Sequence, residues 1–157
     1  MRLSENFRLE EFLLSQTATR HGIDMTPTEK VIQRIQVLVD SCLQPLRDSL
    51  GATLYISSGF RPMALNQLIG GSVTSAHQFG EAADFQVAGF TPLEVCLRVV
   101  ELELPFDQVI HEFGQWTHLG IAKKPRGELL TAYRSGGRVN YSWGLKPMDD
   151  FNHGNIN

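Results

Sequence analysis

Cysteine is nearly absent: Cys42 and Cys96 are the only two in 157 residues, and each falls within an apolar pattern of helical spacing. That excludes the disulfide framework that staples small secreted domains, and both thiols are expected to be buried and free. A basic excess is missing too. Fourteen Lys and Arg against seventeen Asp and Glu leave a net charge of −3, so no nucleic-acid partner is expected. No apolar run reaches membrane length. The longest helical stretch is interrupted by Gln33, Arg34, Gln36 and Asp40, which argues against membrane insertion. The opening MRLSENFRLEEF has no apolar signal core, so synthesis in the cytoplasm without a secretion signal is expected. Repeats, low-complexity tracts and linkers are also missing. The reading is therefore one domain over residues 1–157, acting as a monomer, with the polar last stretch DDFNHGNIN loose.

What is present is a clear order of elements. MTPTEKVIQRIQVLVDSCLQPLRDSLG reads as the main helix. Thr26 is its expected cap, with Pro27 in the first turn and Glu29 completing a capping box. Val31, Ile35, Leu38, Cys42 and Leu46 form one apolar face. Pro45 is expected to kink or end it, and Gly51 to stop it. TLYIS predicts a strand, SGFRP a turn, and MALNQLIGG a short helix closed by Gly70 and Gly71. AADFQV predicts a second strand and TPLEVCLRVVEL a second capped helix. FDQVIHEF and WTHLGIA predict a hairpin around Gly114 and Gln115, and ELLTAYR a further strand. Helices come early and strands cluster late. The expected class is α+β, an antiparallel sheet with helices packed on one side.

Chemistry concentrates in SAHQFGEAADF and the later hairpin. His77, Asp84 and His118 are of the types that make a three-ligand zinc site with one position left open. Gly80, Ala82 and Ala83 between the first two allow close approach of backbone. His118 shares strand parity with Trp116, which leaves Trp116 either on the groove wall, the reading parity favours, or in the core. Glu112 stands six residues before His118, across the hairpin, where a carboxylate can serve as a general base without ligating metal. His111 should face the other side of the strand and be structural. Asp107 is of a type that can orient a ligating histidine. His21 and His153 are expected to be ordinary surface residues.

Ser75, His77, Gly80, Ala82 and Asp84 fill every fixed position of S-x-H-x-x-G-x-A-x-D. The pattern resembles that of the zinc D-Ala-D-Ala carboxypeptidase family, whose fold is shared with the hedgehog signalling domain. Trp116 to His118 looks like its third-ligand segment. SSGFRP, LNQLIGG, NFRLEEFLLSQTATRHGID and LQPLRDSLG resemble its small, often phage-encoded peptidoglycan peptidases.

The resemblance implies one zinc ion on His77, Asp84 and His118, with Glu112 as catalytic base. Many relatives carry the acid three residues before the last histidine, where Gln115 stands here. Arg61 corresponds to an arginine that helps to hold substrate. Ser75 either bonds the substrate backbone or orients its loop, and Trp116 walls the groove. The implied function is a zinc peptidase acting on the stem peptides or cross-links of peptidoglycan, in phage or prophage lysis. Carboxypeptidase, endopeptidase and L-Ala-D-Glu peptidase activities all stay open. The alternatives are a zinc-stabilised binding module without hydrolytic activity, and a virion or tail component. Action is expected at the cell wall or periplasm after release, or on the virion.

Overall fold

The main helical run begins later than its sequence suggests. The computed structural model describes residues 1–152, and in it helix α2 spans Glu29–Leu38, preceded by the short α1 at Gln16–Arg20. The cap is Thr28, whose side chain accepts from the Val31 N–H, and not Thr26. Asp24 explains the difference. Its carboxylate takes both the backbone N–H of Thr26 at 2.9 Å and its hydroxyl at 2.6 Å. This Asx turn consumes the earlier cap and leaves Pro27 outside the helix. Pro45 does not end the run. A π turn at Val39–Leu43 comes first, in which the Gln44 N–H bonds the Val39 carbonyl five residues back. The widened turn shifts the hydrogen-bond register, and α3 continues over Gln44–Leu50 with Pro45 in its first turn. Gly51 ends it in the left-handed conformation, φ 61°.

Six strands follow: β1 Leu54–Ser58, β2 Ala82–Val87, β3 Gln108–Glu112, β4 Trp116–Gly120, β5 Glu128–Ser135 and β6 Arg138–Trp143. Helix α4, Met63–Leu68, and a single 3₁₀ turn, Ala76–Phe79, lie between β1 and β2, and α5, Pro92–Glu101, lies between β2 and β3. The strand order is β1-β2-β4-β3-β5-β6. Every pairing is antiparallel except β3 with β5. The class is α+β, as the order of elements implied. Strand β6, in RVNYSW, is an addition to the expected set.

One face of the sheet carries the core. Ala83, Phe85, Val109 and Leu119 pack there with Ile35, Leu38, Leu43 and Leu46 of the α2–α3 run and with Val95, Cys96 and Val99 of α5. Cys42 and Cys96 are buried and free, and burial pushes the Cys96 thiol up to about 12. The other face is left for chemistry. Met148–Phe151 form a 3₁₀ turn and Phe151 stacks on Tyr133 at 4.0 Å, so this part of the C-terminal stretch is anchored and not loose. Residues 153–157, including His153, lie outside the described residues. No helix among the described residues is long and apolar enough to cross a membrane.

Gly80 joins core and site. Its φ is +72°, and a Cβ there would lie 2.8 Å from the Val31 carbonyl oxygen and 2.9 Å from Ile35 Cγ1. The turn carrying His77 is thus pressed against α2. Gly80→Ala adds left-handed strain to a backbone clash and is expected to destabilise the fold by roughly 2–4 kcal/mol, read from urea denaturation.

Candidate functional site

Each candidate ligand is placed by a local device. His77 sits in the 3₁₀ turn, 1% exposed. Its Nδ1 donates to the Gly59 carbonyl at 2.8 Å, which fixes the tautomer and turns the Nε2 lone pair inward. Gly59 is in turn pressed on Phe12, and the next N–H, from Phe60, bonds the Phe12 carbonyl at 2.8 Å. The N-terminal segment therefore braces the loop that orients His77. Asp84 and His118 are directly opposed across β2 and β4, and opposed residues share a face.

The three converge. Asp84 Oδ1 is 2.9 Å from His118 Nδ1 and 3.3 Å from His77 Nε2. The second contact is off hydrogen-bonding geometry, so His77 Nε2 is buried without a hydrogen-bond partner. One potential ligand atom from each residue lies within 4.8 Å of the other two. A tetrahedral zinc with bonds of about 2.0–2.1 Å holds its ligand atoms roughly 3.3 Å apart. The donor set, its spacing and the orphaned nitrogen all suit one divalent ion. Charge balance suits it as well. Burial keeps His77 below its usual pKa and so neutral, as a ligand must be. Burial alone would raise the Asp84 carboxyl, but its close contacts with the His77 and His118 imidazoles hold it well below the usual carboxylate range. For His118 the bond to Asp84 and its charge outweigh burial and raise the pKa. Zinc at a hundred times its dissociation constant is expected to add about 2.7 kcal/mol of stability. That corresponds to a rise of about 5–11 °C in the melting temperature of a chain this size, measured by scanning calorimetry.

Glu112 ends β3 opposite Trp116, and Ile110, two residues before it, opposes His118. Both therefore sit on the ligand face. Its Oε1 is 3.9 Å from His118 Nδ1, beside the donor set. Burial and then the Asp84 charge raise its pKa to about 7, against the pull of His118 and Arg61. Gln115 is in the hairpin turn, exposed, with its backbone carbonyl accepting from the Gln86 side chain at 2.7 Å. It is not among the residues that line the groove.

A groove of about 720 Å³ opens over these residues. Arg61, Ser75 and Trp116 line it together with His77, Asp84, His118 and Glu112. The Arg61 backbone N–H is tied to the His77 carbonyl at 2.9 Å, while its buried Nε has no hydrogen-bond partner among the described residues. Burial lowers the Arg61 pKa and the charges of Asp84 and Glu112 oppose this. The Trp116 indole nitrogen is likewise buried without a partner meeting hydrogen-bond geometry among the described residues.

Asp107 orients no histidine. Its carboxylate takes Arg126 Nη2 at 2.8 Å and Nε at 3.0 Å. The partner of His77 is instead a backbone carbonyl, which no residue type announces. His111 faces away, its Nδ1 at 2.9 Å from the Lys146 carbonyl, and His21 is exposed. Ala83 belongs to the core, so of the small residues near the ligands only Ala82 lies on the site face, opposite Gly120. Leu130 and Tyr141 also line the groove and carried no sequence motif. The alternation of Val139, Tyr141 and Trp143 was the one available sign of β6, the strand of Tyr141.

A largely buried His-Asp-His group beside a carboxylate of raised pKa, open to a groove, is the arrangement of a candidate mononuclear metal site with a base next to it. A family model described as Peptidase M15 matches residues 5–120. The chain belongs to this family of zinc peptidases, related to the D-Ala-D-Ala carboxypeptidases. A search of curated proteins finds no match.

Proposed function

We propose that the protein hydrolyses peptide bonds of bacterial peptidoglycan, in stem peptides or cross-links, during phage or prophage lysis. The observation carrying this reading is the convergence of His77, Asp84 and His118 with Glu112 and an unsatisfied Arg61 in one groove. A zinc ion on the three ligands supplies Lewis acidity and brings the pKa of a water near neutrality. Glu112 takes a proton from the attacking water as its oxygen bonds the carbonyl carbon. As the C–N bond breaks, Glu112 returns the proton to the leaving nitrogen, giving a carboxylate and an amine. Arg61 holds a substrate carboxylate through paired hydrogen bonds and so orients the scissile bond. Trp116 walls the groove, and Ser75 contacts the peptide backbone or steadies the His77 loop.

Stem peptides carry free carboxylates, which suits Arg61. The protein would act at the cell wall, free or virion-associated, as a monomer. The test is digestion of purified peptidoglycan by zinc-loaded protein, with and without a chelator, and mass spectrometry of the products. New amine termini that the chelator suppresses are expected, and the fragment masses name the bond cut. Unchanged peptidoglycan in both arms contradicts the proposal and favours a binding role.

A further inference from the structure

The family match stops at residue 120, but the groove continues past it. Arg126, Leu130 and Tyr141 form part of its wall. Strand register says how. Glu112 of β3 is opposite Ala132 of β5, and Ala132 is opposite Tyr141 of β6. Directly opposed residues share a face, so Tyr141 stands on the Glu112 side of the sheet. Neighbouring strands are about 4.8 Å apart, so Glu112 and Tyr141 stand two strand spacings apart on that face, with the methyl of Ala132 on the strand between them. A phenol leaning inward over that methyl meets the groove, and Tyr141 is among its lining residues.

The hydroxyl has the right chemistry for a donor. Burial, then the charges of Glu112 and Asp84, raise its pKa, and no hydrogen bond to the phenol among the described residues offsets them. It stays protonated across the physiological range. Tyr141 as a residue is 58% exposed, so packing alone does not account for its place.

We propose that Tyr141 is a catalytic residue whose hydroxyl donates a hydrogen bond to the scissile carbonyl oxygen as negative charge develops there. The proposal rests on the peptidase reading above. It makes the β5–β6 hairpin, outside the matched family region, part of the reaction centre. A donor that strengthens its bond only as the oxygen gains charge raises turnover without tightening substrate binding.

Tyr141→Phe removes the hydroxyl and keeps the ring. With soluble muropeptides, monomers and cross-linked dimers, as substrate, kcat is expected to fall about 100-fold with KM nearly unchanged. Zinc content and urea midpoint should match the wild type. Calorimetry with the phosphinate isostere of the bond that the wild type cleaves provides a readout independent of turnover, and the variant should bind it at least about tenfold more weakly. Wild-type kcat and phosphinate affinity in the variant overturn the role of Tyr141 and leave the peptidase intact. A raised KM at constant kcat, or loss of zinc or stability, also overturns it. Zinc-loaded wild-type protein that cleaves no muropeptide sinks both readings together.

Discussion

Glu112→Gln is expected to lower turnover roughly 10³-fold, the size of a lost general base, while the protein keeps its fold and its zinc. The amide is nearly isosteric with the carboxylate but cannot accept the proton of the attacking water. Steady-state hydrolysis of muropeptides, alongside metal analysis, reads both quantities. The pH profile follows from the same group. Burial and the Asp84 charge lift the Glu112 pKa to about 7, and a divalent cation nearby draws it down again. The base works deprotonated, so kcat/KM should fall as pH drops, with the midpoint of this acid limb below about 7. Glu112→Gln should lose that limb in whatever activity remains. Full activity in the variant would mean that another group accepts the proton. Zinc loss in the variant would mean that Glu112 is a ligand.

Asp84→Asn is expected to abolish both zinc retention and hydrolysis. Its Oδ1 is the shared point of the cluster, 2.9 Å from one histidine and 3.3 Å from the other. An amide supplies a far weaker ligand and no charge to balance the cation. The loss of zinc affinity, titrated against a competing chelator, should exceed the 10–100-fold typical of a residue that only orients a ligand. The opposite result, a variant that retains stoichiometric zinc, would move the metal elsewhere. Removing Asp84 without metal present has a separate consequence. His118 loses the partner that raises its pKa and should then favour the neutral form.

Much of the site can be read from residue order because it depends on strand parity and one dense motif. His118 and Trp116 alternate in β4, and the hairpin sets Glu112 against Trp116. Both relations follow from spacing. The ligand pairing of Asp84 with His118 depends on which strand lies beside which, and there the motif carried what spacing could not. Elsewhere two local chemistries compete for the same atoms. Thr26 and Thr28 are equally good caps until Asp24 occupies the first. Pro45 reads as a breaker until a π turn makes room for it. Asp107 suits a histidine partner until Arg126 arrives from nineteen residues away. The Gly59 carbonyl that orients His77 belongs to backbone geometry alone. Strand β6 has an alternating but weakly apolar sequence beside a glycine pair, and its pairing with β5 is what defines it.

Zinc-edge anomalous diffraction from crystals of catalytically active protein addresses the site itself. One peak per chain is expected, bounded by His77 Nε2, Asp84 Oδ1 and His118 Nδ1. Active protein with no metal there, or with its metal bound at other residues, would contradict the assignment.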